Sequence, residues 1–428
     1  MIAKTFFLVL LTTAVLCNPH GDRPKLTGNT NIDVNADGGS SVNAVGKVRS
    51  TVAINANTHA NIDVDARDHS NVAANANTDS NTKIEANRKS SVNSNAQGAA
   101  NVDILSNNWS SVDANADTLS NAKLTANRKS TIDANSKGGA NLDVLSNNWS
   151  NVNANADTLS NAKLTANRKS TIDANSKGGA NLDVLSNNWS NVNANADTKA
   201  NAKLDANWVS KIDANAKGGS NLDVVSKDWS KVAANTDTGA NAKVDAVWAS
   251  KVDANAKGGS NLDVVSKDWS KVAANTDQHA NAKVDAVWAS KVDANAKGGS
   301  KLDVVSKDWS KVAANTDTGA NAKVDAVWAS KVDANAKGGS KLDVVSKDWS
   351  KVAANTDTGA SANIDANWKT QVDANAKTGA SLDVQGADGA TVAANVGSRS
   401  RSEVDAKINS QVGLNANRRS NVKIEAIA

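Results

Sequence analysis

From residue 31 the chain reads as decapeptides, and four decapeptides make a block that recurs almost letter for letter. Residues 111–150 repeat as 151–190 with changes only at 111 and 113, and residues 231–270 repeat as 311–350 with a change only at 261. Such repetition excludes folds in which each residue has unique surroundings and requires stacked, near-identical units. In NVNANADTLS, NAKLTANRKS, TIDANSKGGA and NLDVLSNNWS the second, fourth and sixth positions are apolar or small. The third and usually the fifth are polar. Alternation with period two over six residues predicts a strand with one face turned inward. The next four residues are rich in Gly, Asn, Asp and Ser, the residues of tight turns. Apolar spacing of two and abundant Asn both argue against helix.

Three columns set the size of one coil. Asn recurs every twenty residues from Asn35, Asn55 and Asn75 to Asn415. Charge alternates every twenty residues through Lys83, Asp103, Lys123, Asp143, Lys163, Asp183, Lys203 and Asp223, and on to Asp343. The third column is tryptophan: Trp189, Trp208, Trp229, Trp248, Trp269, Trp288, Trp309, Trp328, Trp349 and Trp368 follow in steps of nineteen and twenty-one. All three fit a coil of two strands and two turns. The expected fold is therefore an all-β, two-sheet parallel β-solenoid, like a β-roll. Each coil holds about twenty residues in two decapeptide strand-turn units. With strands stacked roughly 4.8 Å apart, about twenty coils predict a rod on the order of 95 Å long. Its core is one layer of Val, Leu, Ile and Ala, with V-A-A strands facing L-V-S or A-L-A strands. The competing reading is a disordered, Asn-rich polymer; the inward alternation argues against it.

Residues 1–17, MIAKTFFLVLLTTAVLC, read as a secretory signal peptide, with Lys4 as the basic region and Phe6–Leu11 as the apolar centre. Residues 18–30 read as an N-terminal lead-in or cap, 31–396 as the tandem solenoid, and 397–428 as divergent C-terminal coils that cap it. Both Phe residues, Met1 and Cys17 fall in the leader, and Pro19 and Pro24 just after it. The array thus has Trp as its only aromatic and has no sulfur. Disulfides, the usual support of small extracellular folds, are unavailable to it. The net charge of +4 comes from Lys and Asp mixed along the chain, which predicts no basic nucleic-acid patch.

Stacked Asn reads as structural, its amides bonding up and down the ladder. The Lys/Asp column reads as cross-strand pairing that resists a one-coil slip. The Trp column falls at one edge, in the turn after the second strand, opposite glycine pairs such as Gly218–Gly219. Trp248, Trp288 and Trp328 continue the inward parity of their strands and are expected to close the edge of a shallow core. Trp229, Trp269, Trp309 and Trp349 break that parity and are expected to be exposed or stacked. The alternative is an aromatic ridge for self-association or glycan stacking. Asn108, Asn148 and Asn188 lie in N-W-S sequons, acceptors for N-glycosylation in a secreted protein.

No catalytic constellation emerges. His20, His59, His69 and His279 share no position, and no metal site or cofactor is expected. Calcium-binding β-rolls resemble this outline, but the turns AKGGS and NTDTGA lack their GGxGxD motif, so no calcium ligands are implied. The leading expectation is a secreted structural protein of silk, glue, cement or matrix type that self-associates. The alternatives are an ice-binding solenoid and a glycan-binding adhesin or effector using the Trp edge.

Overall fold

The computed structural model describes residues 13–17, 25–28, 32–36, 41–46 and 50–426. Excepted from the last range are turn positions 58, 60, 78, 109, 189, 209–210, 229–230, 249–250, 268–270, 289–290, 308–310, 329–330, 349, 369, 388, 407–410 and 417–420. The described residues form an all-β parallel β-solenoid of roughly 20 residues per coil, with no helix. The chain divides into two compact units, 1–206 and 207–428.

In the N-terminal unit, sheet A runs from Thr13–Cys17 through Ile32–Ala36 and Thr51–Ala56 to Asn191–Asp197. Sheet B takes the alternate strands, among them Lys25–Gly28, Ser41–Gly46 and Asn61–Ala66. Thr13–Cys17, assigned to the leader from sequence, pairs with Ile32–Ala36, and Lys25–Gly28 pairs with the second sheet B strand. Residues 1–12, the rest of that leader, lie outside the described residues. In the C-terminal unit, Lys211–Lys217 begins sheet A and Asn221–Lys227 begins sheet B, and both sheets continue in the same way to Gln411–Ala416 and Asn421–Ala426. Every resolved register pairs a residue with one a coil away, as in Val232 with Val252 and Asn255 with Asn275. Strands repeat without slippage because a one-residue slip would turn every inward side chain outward.

Burial follows the alternation. Positions two, four and six of the strands from Ser41–Gly46 to Thr391–Val396 point inward: Val232, Ala234 and Thr236 in sheet A, and Leu222, Val224 and Ser226 in sheet B, are all buried. In Asn221–Lys227 and Lys231–Asp237 position two carries the larger buried residue and position six a small one, as in Leu222 and Ser226 or Val232 and Thr236. The tenth position is a buried corner. There Ser220, Ser300 and Ser340 donate a hydrogen bond from Oγ to the carbonyl at position seven of their own turn, at 2.5 Å. Buried Thr236, Thr276, Thr316 and Thr356 donate to the backbone carbonyls of the next coil's asparagines at 3.3 Å. Hydroxyls can thus line the core because nearby main-chain carbonyls accept from them.

Candidate functional site

The outward faces carry the chemistry. Sheet A presents the predicted Asn column, and it is a continuous amide ladder within each unit. Asn55 Nδ2 donates to Asn35 Oδ1 at 3.0 Å, Asn75 to Asn55 at 2.8 Å, and the pattern runs to Asn195. In the C-terminal unit it runs from Asn235 on Asn215 to Asn395 on Asn375. Two further ladders went unread in the sequence. One occupies position one of sheet B, as in Asn121 on Asn101 and Asn281 on Asn261, both at 2.9 Å. The other lies at the turn after sheet B, from Asn127 on Asn107 to Asn187 on Asn167. Each rung donates from the later coil to the earlier one.

The charge column of sheet B lies in the expected register, with Lys243 between Asp223 and Asp263. Its short contacts, however, run along the strand. Lys243, Lys283 and Lys323 reach Asp245, Asp285 and Asp325 at 3.2–3.3 Å. The bonded carboxylate two residues on, then the aspartates of neighbouring coils, hold these lysines above their ordinary pKa. Residues two apart in a strand share a face, so the pair forms without spanning coils.

Sheet A of the C-terminal unit sorts its charge, contrary to the mixing inferred from composition. Position one is Lys in eight successive coils: Lys211, Lys231, Lys251, Lys271, Lys291, Lys311, Lys331 and Lys351, each paired in register with the next. All are exposed. Lys211, Lys251, Lys291 and Lys331 meet Asp213, Asp253, Asp293 and Asp333 at 3.1–3.2 Å. The intervening lysines have Ala233, Ala273, Ala313 and Ala353 at that place. In the N-terminal unit the same column is uncharged, with Thr131, Asn151, Thr171 and Asn191 in succession. A shallow hollow of about 360 Å³ lies there beside the Asn ladder, near Lys137, Asp157 and Lys177.

The described tryptophans do not close the core. Trp208, Trp248, Trp288, Trp328 and Trp368 are 54–57 % exposed. Trp248, Trp288 and Trp328 fall at turn position eight with φ near +61° or +62°, where the left-handed backbone ends the inward parity of the strand. The corners of that edge are filled instead by small buried residues such as Ser350 and Thr370. Backbone bonds from Trp208, Trp248, Trp288 and Trp328 N–H to Lys227, Lys267, Lys307 and Lys347 carbonyls, all 3.1 Å, tie each turn to the next coil. Trp149 of the N-terminal unit is also exposed, with the Lys169 ammonium 4.4 Å from its ring centre. Trp189, Trp229, Trp269, Trp309 and Trp349 lie outside the described residues.

Two of the three sequon amides are engaged. Asn148 and Asn188 donate from Nδ2, the atom a glycan would join, to the Asn127 and Asn167 carbonyls at 3.1 and 3.2 Å. Asn108 occupies the equivalent turn, half-buried, and Ser110, Ser150 and Ser190 of all three sequons are buried. His59, His69 and His279 stand on separate turns, His59 3.7 Å from Asp79; His20 lies outside the described residues. Among the described residues no three His, Cys, Asp or Glu side chains gather as a metal site. No family model, curated protein or solved structure matches the chain.

Proposed function

We propose that this chain is a secreted, repetitive structural protein, of silk, glue, cement or matrix type, that self-associates through the Trp-bearing edge of its C-terminal unit. One observation carries this reading. Indoles recur at every second coil of that edge, exposed, on a left-handed backbone that bulky residues rarely adopt. A row of exposed aromatic rings that leaves the core unaltered is the mark of an association surface. Near-identical coils repeat that surface in register, which suits multivalent lateral contact. The role is non-catalytic, and the amide ladders belong to the scaffold. They support ice binding less, because each Asn spends a donor and an acceptor on its neighbours.

Negative-stain electron microscopy and light scattering over a concentration series test this. The purified protein is expected to form filaments or sheets that grow with concentration. A variant with Trp208, Trp248, Trp288, Trp328 and Trp368 all changed to Gly is expected to stay dispersed. Dispersed wild-type particles at every concentration sink the reading.

A further inference from the structure

We infer that the lysine column of the C-terminal unit is a binding face for an extended anionic polysaccharide bearing one acidic group per disaccharide. The fold has no need of this column, since the N-terminal unit builds the same strands with Thr, Asn and Ser there. Like charges directly opposite on neighbouring strands destabilise a sheet. Eight exposed lysines in register therefore work against the stack, and the aspartates of alternate coils relieve this only in part.

The internal aspartates set the charge period. Asp213, Asp253, Asp293 and Asp333 each bond the lysine of their own coil. Lys231, Lys271, Lys311 and Lys351 have Ala two residues on and, among the described residues, no carboxylate within ion-pair distance. Along position one, a lysine without an ion-pairing aspartate thus recurs every second coil, at about 9.6 Å from the strand spacing. That matches the disaccharide repeat of an extended polysaccharide with alternating acidic and neutral sugars. Duplex DNA fits less well. It carries one charge per ~1.7 Å of axis on strands that wind around it, so its phosphates leave an in-register column after a few contacts.

The test uses the full chain at a concentration where it is dispersed, so that failure of self-association leaves the result intact. Hyaluronate, with one carboxylate per disaccharide, is the probe; neutral dextran and duplex DNA are the comparators, and binding is read by calorimetry. Wild type is expected to bind hyaluronate, more weakly as salt rises, and not dextran. K231Q/K271Q/K311Q/K351Q is expected to lose about tenfold in affinity through the lost counterion release. Gln371 already occupies this column, so glutamine is accommodated, and circular dichroism checks the strands. D213N/D253N/D293N/D333N frees the other four lysines. It is expected to bind tighter and to gain most for polygalacturonate, which carries a carboxylate on every sugar. The inference is overturned if the lysine variant binds hyaluronate as wild type does. It is equally overturned if DNA binds more tightly than hyaluronate and loses the same factor.

Discussion

At Trp248 a bulky side chain sits where the backbone asks for glycine, with φ of +62°. The equivalent turn on the opposite edge uses Gly258, at φ +59°, and a Cβ there would lie 3.2 Å from the Thr238 Cα. The two positions make opposite predictions. Trp248→Gly removes a left-handed penalty of about 1 kcal/mol, so the denaturant midpoint is expected to hold or rise. A loss above about 1 kcal/mol would show that the indole supports the core after all. Gly258→Ala adds that same strain and a close contact, and is expected to cost about 1–2 kcal/mol. Asp113 gives a third residue-scale test. Burial, and then the facing Asp133 of the next coil, push its carboxyl above the ordinary value. Asp113 therefore opposes folding when ionised, and the penalty fades as pH falls through its raised pKa. Asn153 takes that place in the next block, which otherwise differs only at 151. Asp113→Asn is expected to stabilise by roughly 0.3 kcal/mol at neutral pH after solvent screening, and by less in acid, as pH falls through the raised Asp113 pKa. Paired urea titrations at neutral and acid pH measure it.

At the scale of the strand, the amide ladder is the register device. Asn255 donates to Asn235 and accepts from Asn275, both at 2.8 Å. Asn255→Ala is expected to cost about 1 kcal/mol, since exposed rungs compete with water; hydrogen exchange should show the loss confined to the adjacent strands. Strands and coil length were legible because period-two alternation and the spacing of columns are properties of letters. Trp248 was misread because parity holds only while the backbone is extended. Position eight is shared by Trp, Thr, Gln and Gly in different coils, so no residue type announces the left-handed turn. Lys231 was misread differently. Its charge counts as mixed along the chain and becomes one column only when coils stack. The ladders at Asn121 and Asn127 were as visible as that at Asn135, but other residues occupy their columns elsewhere in the chain, Lys301 and Lys341 in the first and Lys227 and Val247 in the second. The direction of every rung is invisible to sequence.

At the scale of the whole molecule, the repeat is two coils rather than one, because Lys283 stands between Asp263 and Asp303. Removing residues 271–310 joins equivalent coils and is expected to leave strand content and unfolding cooperativity nearly unchanged. Removing only 271–290 sets Asp263 against Asp303. It is expected to lower the midpoint more than the larger deletion does, an ordering that thermal scans of the two variants decide. The uniform sense of the amide rungs has a consequence of another kind. Backbone dipoles along a strand alternate and nearly cancel. The side-chain amides do not: in each unit their N–H groups point toward the earlier coils and their oxygens toward the later ones. Their moments add coil by coil, so each unit is electrically polar along its stacking direction. An external field would orient it as it orients a rod with a permanent dipole, and lengthening the array by whole blocks would raise that moment in equal steps.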